Sequence, residues 1–167
     1  MLSLLLNGIR NGNLDFGSVI AEILAVLVII FLILPFHEWA HAFTASLLGD
    51  KAVKGRGRLS INPLSHIDPM GALCMLLFGF GWAKPVPVNP SNVRHYKRGC
   101  IFISSAGVLM NYLTAFVFCP LYYLSFYIPQ FGYFTQVLQQ ALSYVVVMSL
   151  SFFVFNLIPI YPLDGFH

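Results

Sequence analysis

Charge is what this sequence has least of. Only 9 % of its 167 residues are Asp, Glu, Lys or Arg, whereas 58 % are apolar or aromatic. A soluble domain covers its surface with about a quarter charged residues, so water is not the solvent this composition suits. Residues 99–163 contain no Asp, Glu, Lys, Arg or His at all. Cysteine is scarce too. Cys74, Cys100 and Cys119 lie in apolar stretches with no short-spaced pair, and they read as small buried hydrophobes, not as a disulfide or metal set. Internal repeats and low-complexity tracts are absent from the sequence. No signal peptide is expected, because the first apolar run is longer than a signal h-region and lacks an A-x-A-type site.

The charge that is present is unevenly placed. Eight of the nine Lys and Arg residues fall between positions 51 and 98, and the ninth is Arg10. A nucleic-acid reader also clusters basic residues, but on a polar scaffold. Here apolar runs flank the cluster, so it reads as a signal of orientation in a lipid bilayer. The expected partner is the bilayer, not nucleic acid.

Three spans are expected. Residues 17–48 are apolar except around Glu22 and the group His37, Glu38, His41. As a helix they would run about 48 Å, more than a hydrocarbon core of about 30 Å. Pro35 is expected to kink this helix, and Gly49 to end it. Residues 51–65 read as an exposed basic loop. Residues 69–82 are apolar but too short to span, which suggests a re-entrant or membrane-associated segment. Residues 83–98 carry three prolines, and Val86 and Val88 between them suggest a short extended edge strand. Two further spans are expected near residues 100–128 and 137–158, divided by Pro129 to Gly132. The fold class is therefore an all-α polytopic membrane protein with a small β element at most, and residues 1–167 read as one membrane-embedded core.

Positive-inside placement puts residues 51–98 in the cytoplasm. The first helix then runs inward, the second outward, and the third returns. His37, His41 and Asp164 arrive at similar depth on the cytoplasmic side.

His37-Glu38-Trp39-Ala40-His41 is H-E-x-x-H. On a helix, histidines four apart share one face and can reach one metal ion, and the glutamate between them can act as general base. Three ionisable groups within five residues of a membrane helix are costly as packing alone and usually functional. A catalytic zinc takes three protein ligands and leaves a fourth position open. The third ligand must come from elsewhere. Asp164 is favoured because it stands alone at the end of an apolar span; His66, Asp68, His95 and His167 are the alternatives. His66 and Asp68, beside Pro69, look more like loop organisers, and His95 sits in a basic surface stretch.

Four segments together resemble the site-2 protease family of zinc intramembrane metalloproteases, in particular its small bacterial members without a PDZ domain. They are His37-Glu38-Trp39-Ala40-His41-Ala42, the stretch from Asn62-Pro63 to Met70-Gly71, the stretch from Gly81-Trp82 to Val88-Asn89, and Asn156-Leu157-Ile158-Pro159-Ile160-Tyr161-Pro162-Leu163-Asp164-Gly165. The resemblance implies one Zn2+ held by His37, His41 and Asp164, with Glu38 as the catalytic base. It implies cleavage of transmembrane or membrane-anchored protein substrates, in a bacterial inner membrane, with the site towards the cytoplasm. It also suggests that Asn111 binds substrate or the oxyanion, an interhelical hydrogen bond being the alternative; Val108 stands where the family usually has proline. Many relatives continue into a further helix past the second metal motif, so a core cut after that motif is one expectation. Two rival functions remain open on the sequence: a non-catalytic zinc-binding adaptor and a metal transporter. The charge-free stretch offers a transporter little polar lining.

Overall fold

The computed structural model describes residues 15–129, 131–160 and 163–164. Three helices among them are long and apolar enough to cross a bilayer: Phe16–Leu47 (α1), Tyr96–Tyr127, whose regular part is Tyr96–Leu124 (α4), and Tyr133–Asn156 (α5). Two shorter helices, Ala52–Gly55 (α2) and Pro69–Phe78 (α3), lie between α1 and α4. The chain is thus an all-α polytopic membrane protein. The spans start within about four residues of where the sequence placed them.

Local chemistry explains where each helix begins and ends. Asp15 caps α1 by accepting from the N–H groups of Gly17 and Ser18. Gly49, at φ +115°, ends it in a Schellman turn: its N–H donates to Ser46, and that of Asp50 to Ala45. Asp68 caps α3 with Pro69 in its first turn, and Gly79, in the left-handed region, closes it. Ten residues of helix reach about 15 Å, so α3 cannot cross the bilayer.

Pro35 sits just past a change in the winding of α1. A proline inside a helix has no N–H to give, and its ring presses on the carbonyl four residues back. Here the preceding turn, Ile29–Ile33, widens into π-helix, and the N–H of Leu34 reaches the carbonyl of Ile29. The wide turn takes up one extra residue. Ala25, Ile29 and Ile33 pack in one core cluster with Met75 of α3 and Val145 of α5. Beyond the wide turn, Ala42 and Ala45 belong to a second cluster with Ile103 of α4, Val53 and Val93. In lipid, helices associate by close packing of small residues and by polar contacts, because apolar surface gains little by leaving one oil for another.

The expected strand at residues 85–89 forms no ladder. Among the described residues, β pairing is limited to one antiparallel bridge, Ile67 with Ala83. Residues 85–89 are instead held by side chains. Asp50, wholly buried just past the end of α1, accepts from the N–H groups of Asn89 (2.7 Å) and Ala52 (3.1 Å) and from Nδ2 of Asn92 (3.0 Å). Arg94 adds a backbone bond to Leu48, 2.8 Å long.

Burial opposes ionisation of Asp50, but these three donors and the nearby Arg56 outweigh it and hold the carboxyl below its usual range. A depressed acid stabilises the fold above its unfolded pKa, and that contribution is lost as pH falls through the folded value. Asp50→Ala is expected to cost about 1–3 kcal/mol, the usual loss when buried donors are left unpaired. Thermal unfolding in detergent should show wild type losing stability below about pH 4, with part of that loss absent from Asp50→Ala.

Candidate metal centre

His37 and His41 stand one turn apart on α1, both 7 % exposed. Their rings meet edge to face, with centroids 4.6 Å apart. Asp164 comes from the other end of the described chain. After α5 ends at Asn156, backbone bonds from Ile160 to Ile158 and from Leu163 to Ile160 fold the segment back. Oδ2 of Asp164 then lies 3.2 Å from Nε2 of His37 and 3.3 Å from Nε2 of His41. The two Nε2 atoms are 3.0 Å apart. Three ligand atoms therefore form a nearly equilateral triangle.

The donor chemistry fits a zinc ion. Ligands at 2.0–2.1 Å around a tetrahedral Zn2+ are separated by about 3.3 Å, close to the three spacings found. Nδ1 of His41 lies 2.7 Å from the carbonyl of Ile103. A carbonyl can only accept, so Nδ1 carries the proton and a neutral ring keeps its lone pair on Nε2, facing the triangle. Nδ1 of His37 has no hydrogen-bond partner among the described residues.

The alternatives for the third ligand lie elsewhere. His66 is buried with Nε2 2.9 Å from the Ser60 carbonyl, and Asp68 caps α3. His95 is exposed at the start of α4. His167 lies outside the described residues, as does Gly165. The candidate metal group found among the described residues is His37, His41 and Asp164.

Glu38 points where an adjacent helical face should. Its Oε2 accepts from the N–H of Val86 at 3.1 Å. It lines, with the three metal-site residues, a cavity of about 990 Å³. Phe80, Trp82 and residues 85–88 wall one side, and Ser151, Phe152 and Phe155 of α5 another. Asn111 of α4 also faces this cavity, 2 % exposed, and its Oδ1 has no partner among the described residues. The interhelical bond suggested as an alternative is thus not made by that oxygen. Residues 85–89 offer an incoming strand little to pair with. Val86 N–H is taken by Glu38, Val88 N–H by the Val86 carbonyl and Asn89 N–H by Asp50, while Pro85 and Pro87 have none.

One residue on which the geometry depends was missed in the motif reading. Gly107 of α4 lies directly against the imidazoles. A methyl group built there would overlap the His41 ring and stand 2.7 Å from Cε1 of His37. The signal was present in the small-residue run Ser104-Ser105-Ala106-Gly107, since small residues mark close helix approach in membranes.

The chain is similar in sequence to two named relatives. The chain is 37 % identical over 143 residues to "Putative zinc metalloprotease YwhC" of Bacillus subtilis (strain 168), covering 83 % of this chain and 65 % of that protein. It is 30 % identical over 138 residues to "Putative zinc metalloprotease Rip2" of Mycolicibacterium smegmatis (strain ATCC 700084 / mc(2)155), covering 80 % of this chain and 51 % of that protein. The names of these relatives support a zinc metalloprotease family for the chain. The chain spans about two thirds of one of these relatives and about half of the other. No family model matches the chain, and no solved structure matches it.

Gly107→Ala is expected to weaken zinc binding by roughly 10–100-fold, the usual cost of disturbing what orients a ligand. Alanine is the better helix former, so far-UV circular dichroism should show helix content undiminished while metal analysis shows zinc lost.

Proposed function

We propose that this chain is a zinc-dependent intramembrane endopeptidase of the site-2 protease type, with one Zn2+ per chain held by His37, His41 and Asp164. The observation that carries the proposal is the convergence of two imidazoles and one carboxylate, from segments more than 120 residues apart, on one point of a large cavity that Glu38 also lines. Its substrates are proposed to be transmembrane or membrane-anchored proteins, hydrolysed in or near their spans. Residues 1–167 act as one membrane-embedded core. The membrane is proposed to be a bacterial inner membrane, with residues 51–98 and the metal site towards the cytoplasm.

Bound zinc would polarise the scissile carbonyl and make water acidic enough to be activated near neutral pH. Glu38 is the proton carrier, taking a proton from the attacking water and delivering it to the leaving amine. Its bond to the Val86 N–H fixes the carboxylate within the cavity and ties it to the wall that substrate must touch. Ile103 holds the His41 ring in the tautomer that presents Nε2. Asn111, buried with a free amide oxygen, is proposed to bind the substrate backbone or the oxyanion. The wide, largely apolar walls shield an unwound substrate segment from lipid while leaving it room to extend.

Glu38→Gln is expected to retain zinc and lose cleavage of a membrane peptide roughly 100- to 10,000-fold. Asp164→Ala is expected to lose zinc. Unchanged biological activity in Glu38→Gln would favour a non-catalytic adaptor, and unchanged zinc content in Asp164→Ala would move the third ligand elsewhere.

A further inference from the structure

Three exposed cations, drawn from separate segments, adjoin residues that line the cavity. Lys84 is exposed between the lining residues Ala83 and Pro85. Arg56 is exposed, and its Nη1 donates to the carbonyl of Pro87, another lining residue, at 2.8 Å. Lys97 is exposed in the first turn of α4, and the face it begins runs three and seven residues on through the lining residues Cys100 and Ser104.

Of the nearby acids, Asp50, whose carboxyl Arg56 helps hold ionised, offsets that arginine in part, and the rim's charge rests mainly on Lys84 and Lys97. Asp50 is buried within its three donors, and Asp68 is spent capping α3. Inside the cavity, Glu38 is engaged by Val86 and Asp164 by the imidazoles. Asp15 and Glu22 belong to the opposite end of α1.

We propose that this cationic rim selects substrates by the charge flanking the cleaved span, admitting acidic flanks and repelling basic ones. The inference rests on the protease reading above and on the basic side being cytoplasmic. Ordinary membrane spans carry Lys and Arg on that side. A cationic rim therefore meets most of them with like charge, and such repulsion is an effective route to specificity. The lining itself is mostly apolar and tells one hydrophobic span from another poorly, so the rim is where spans can be told apart.

The test uses the Glu38→Gln chain in phosphatidylcholine vesicles, binding two fluorescent single-span peptides that differ only in a four-Glu or four-Lys flank. The acidic peptide is expected to bind roughly tenfold tighter, the scale of a few exposed ion pairs together. The difference should shrink as salt rises above physiological strength. Adding Lys84→Glu and Lys97→Glu should reverse the preference. Lys84→Gln with Lys97→Gln, a milder change should the first variant fail to fold, should remove it. Equal binding of the two peptides would overturn the proposal. So would a preference that emerges only when phosphatidylglycerol is added, because the rim would then serve lipid headgroups. Cleavage of a neutral-flank peptide by wild type reports separately on the protease reading. Preference without cleavage would keep the rim and sink the enzyme; cleavage without preference would do the reverse.

Discussion

The contact between α1 and α4 at Gly107 is the constraint on which the site depends. There the His41 ring lies against bare backbone, with Nδ1 bonded to the Ile103 carbonyl one turn before the glycine. Lipid gives two apolar helices little reason to meet, so a seam of small residues and a polar bond must do it. Ala42 and Ala45 continue that seam on α1. Once both rings are pinned, their Nε2 atoms point to one place, and Asp164 has only to swing back from the end of α5 to complete the triangle.

A second layer of order comes from the segment between α3 and α4. It carries little regular structure, yet buried polar groups tether it at several points. Asp50 joins the end of α1 to Asn89 and Asn92, and Arg56 holds Pro87. Glu38 holds Val86 from within the cavity. One loop is thus wall, tether and rim together. A sheet would have fixed it with backbone bonds; two prolines remove N–H donors from such a ladder, and side chains take over.

Much of this was legible in sequence. Long apolar runs placed the three spans. The H-E-x-x-H spacing placed both histidines on one helical face, and the isolation of Asp164 after an uncharged stretch singled it out. The roles of His66 and Asp68 as loop organisers followed from their neighbours in sequence, above all Pro69. What was not legible depends on neighbours far away in the chain. Gly107 matters because of rings on another helix. Val86 was read as an edge-strand residue because the alternation with proline resembles one, but its N–H is claimed by a glutamate 48 positions earlier. Asp50 received no role from the sequence, and only the fold shows it enclosed. The proline in α1 was read as a kink, and the wide turn that precedes it was not foreseen.

That winding carries a consequence for how the chain can vary. Within Ile29–Ile33, Phe31 and Leu32 are exposed, and exchanges among apolar side chains are readily absorbed at those two positions. The number of residues is another matter. One residue more, taken up in regular winding, would swing everything downstream by about 100°, aiming both imidazoles away from α4. Inheritance is therefore tolerant of spelling at two places in this stretch and intolerant of added length.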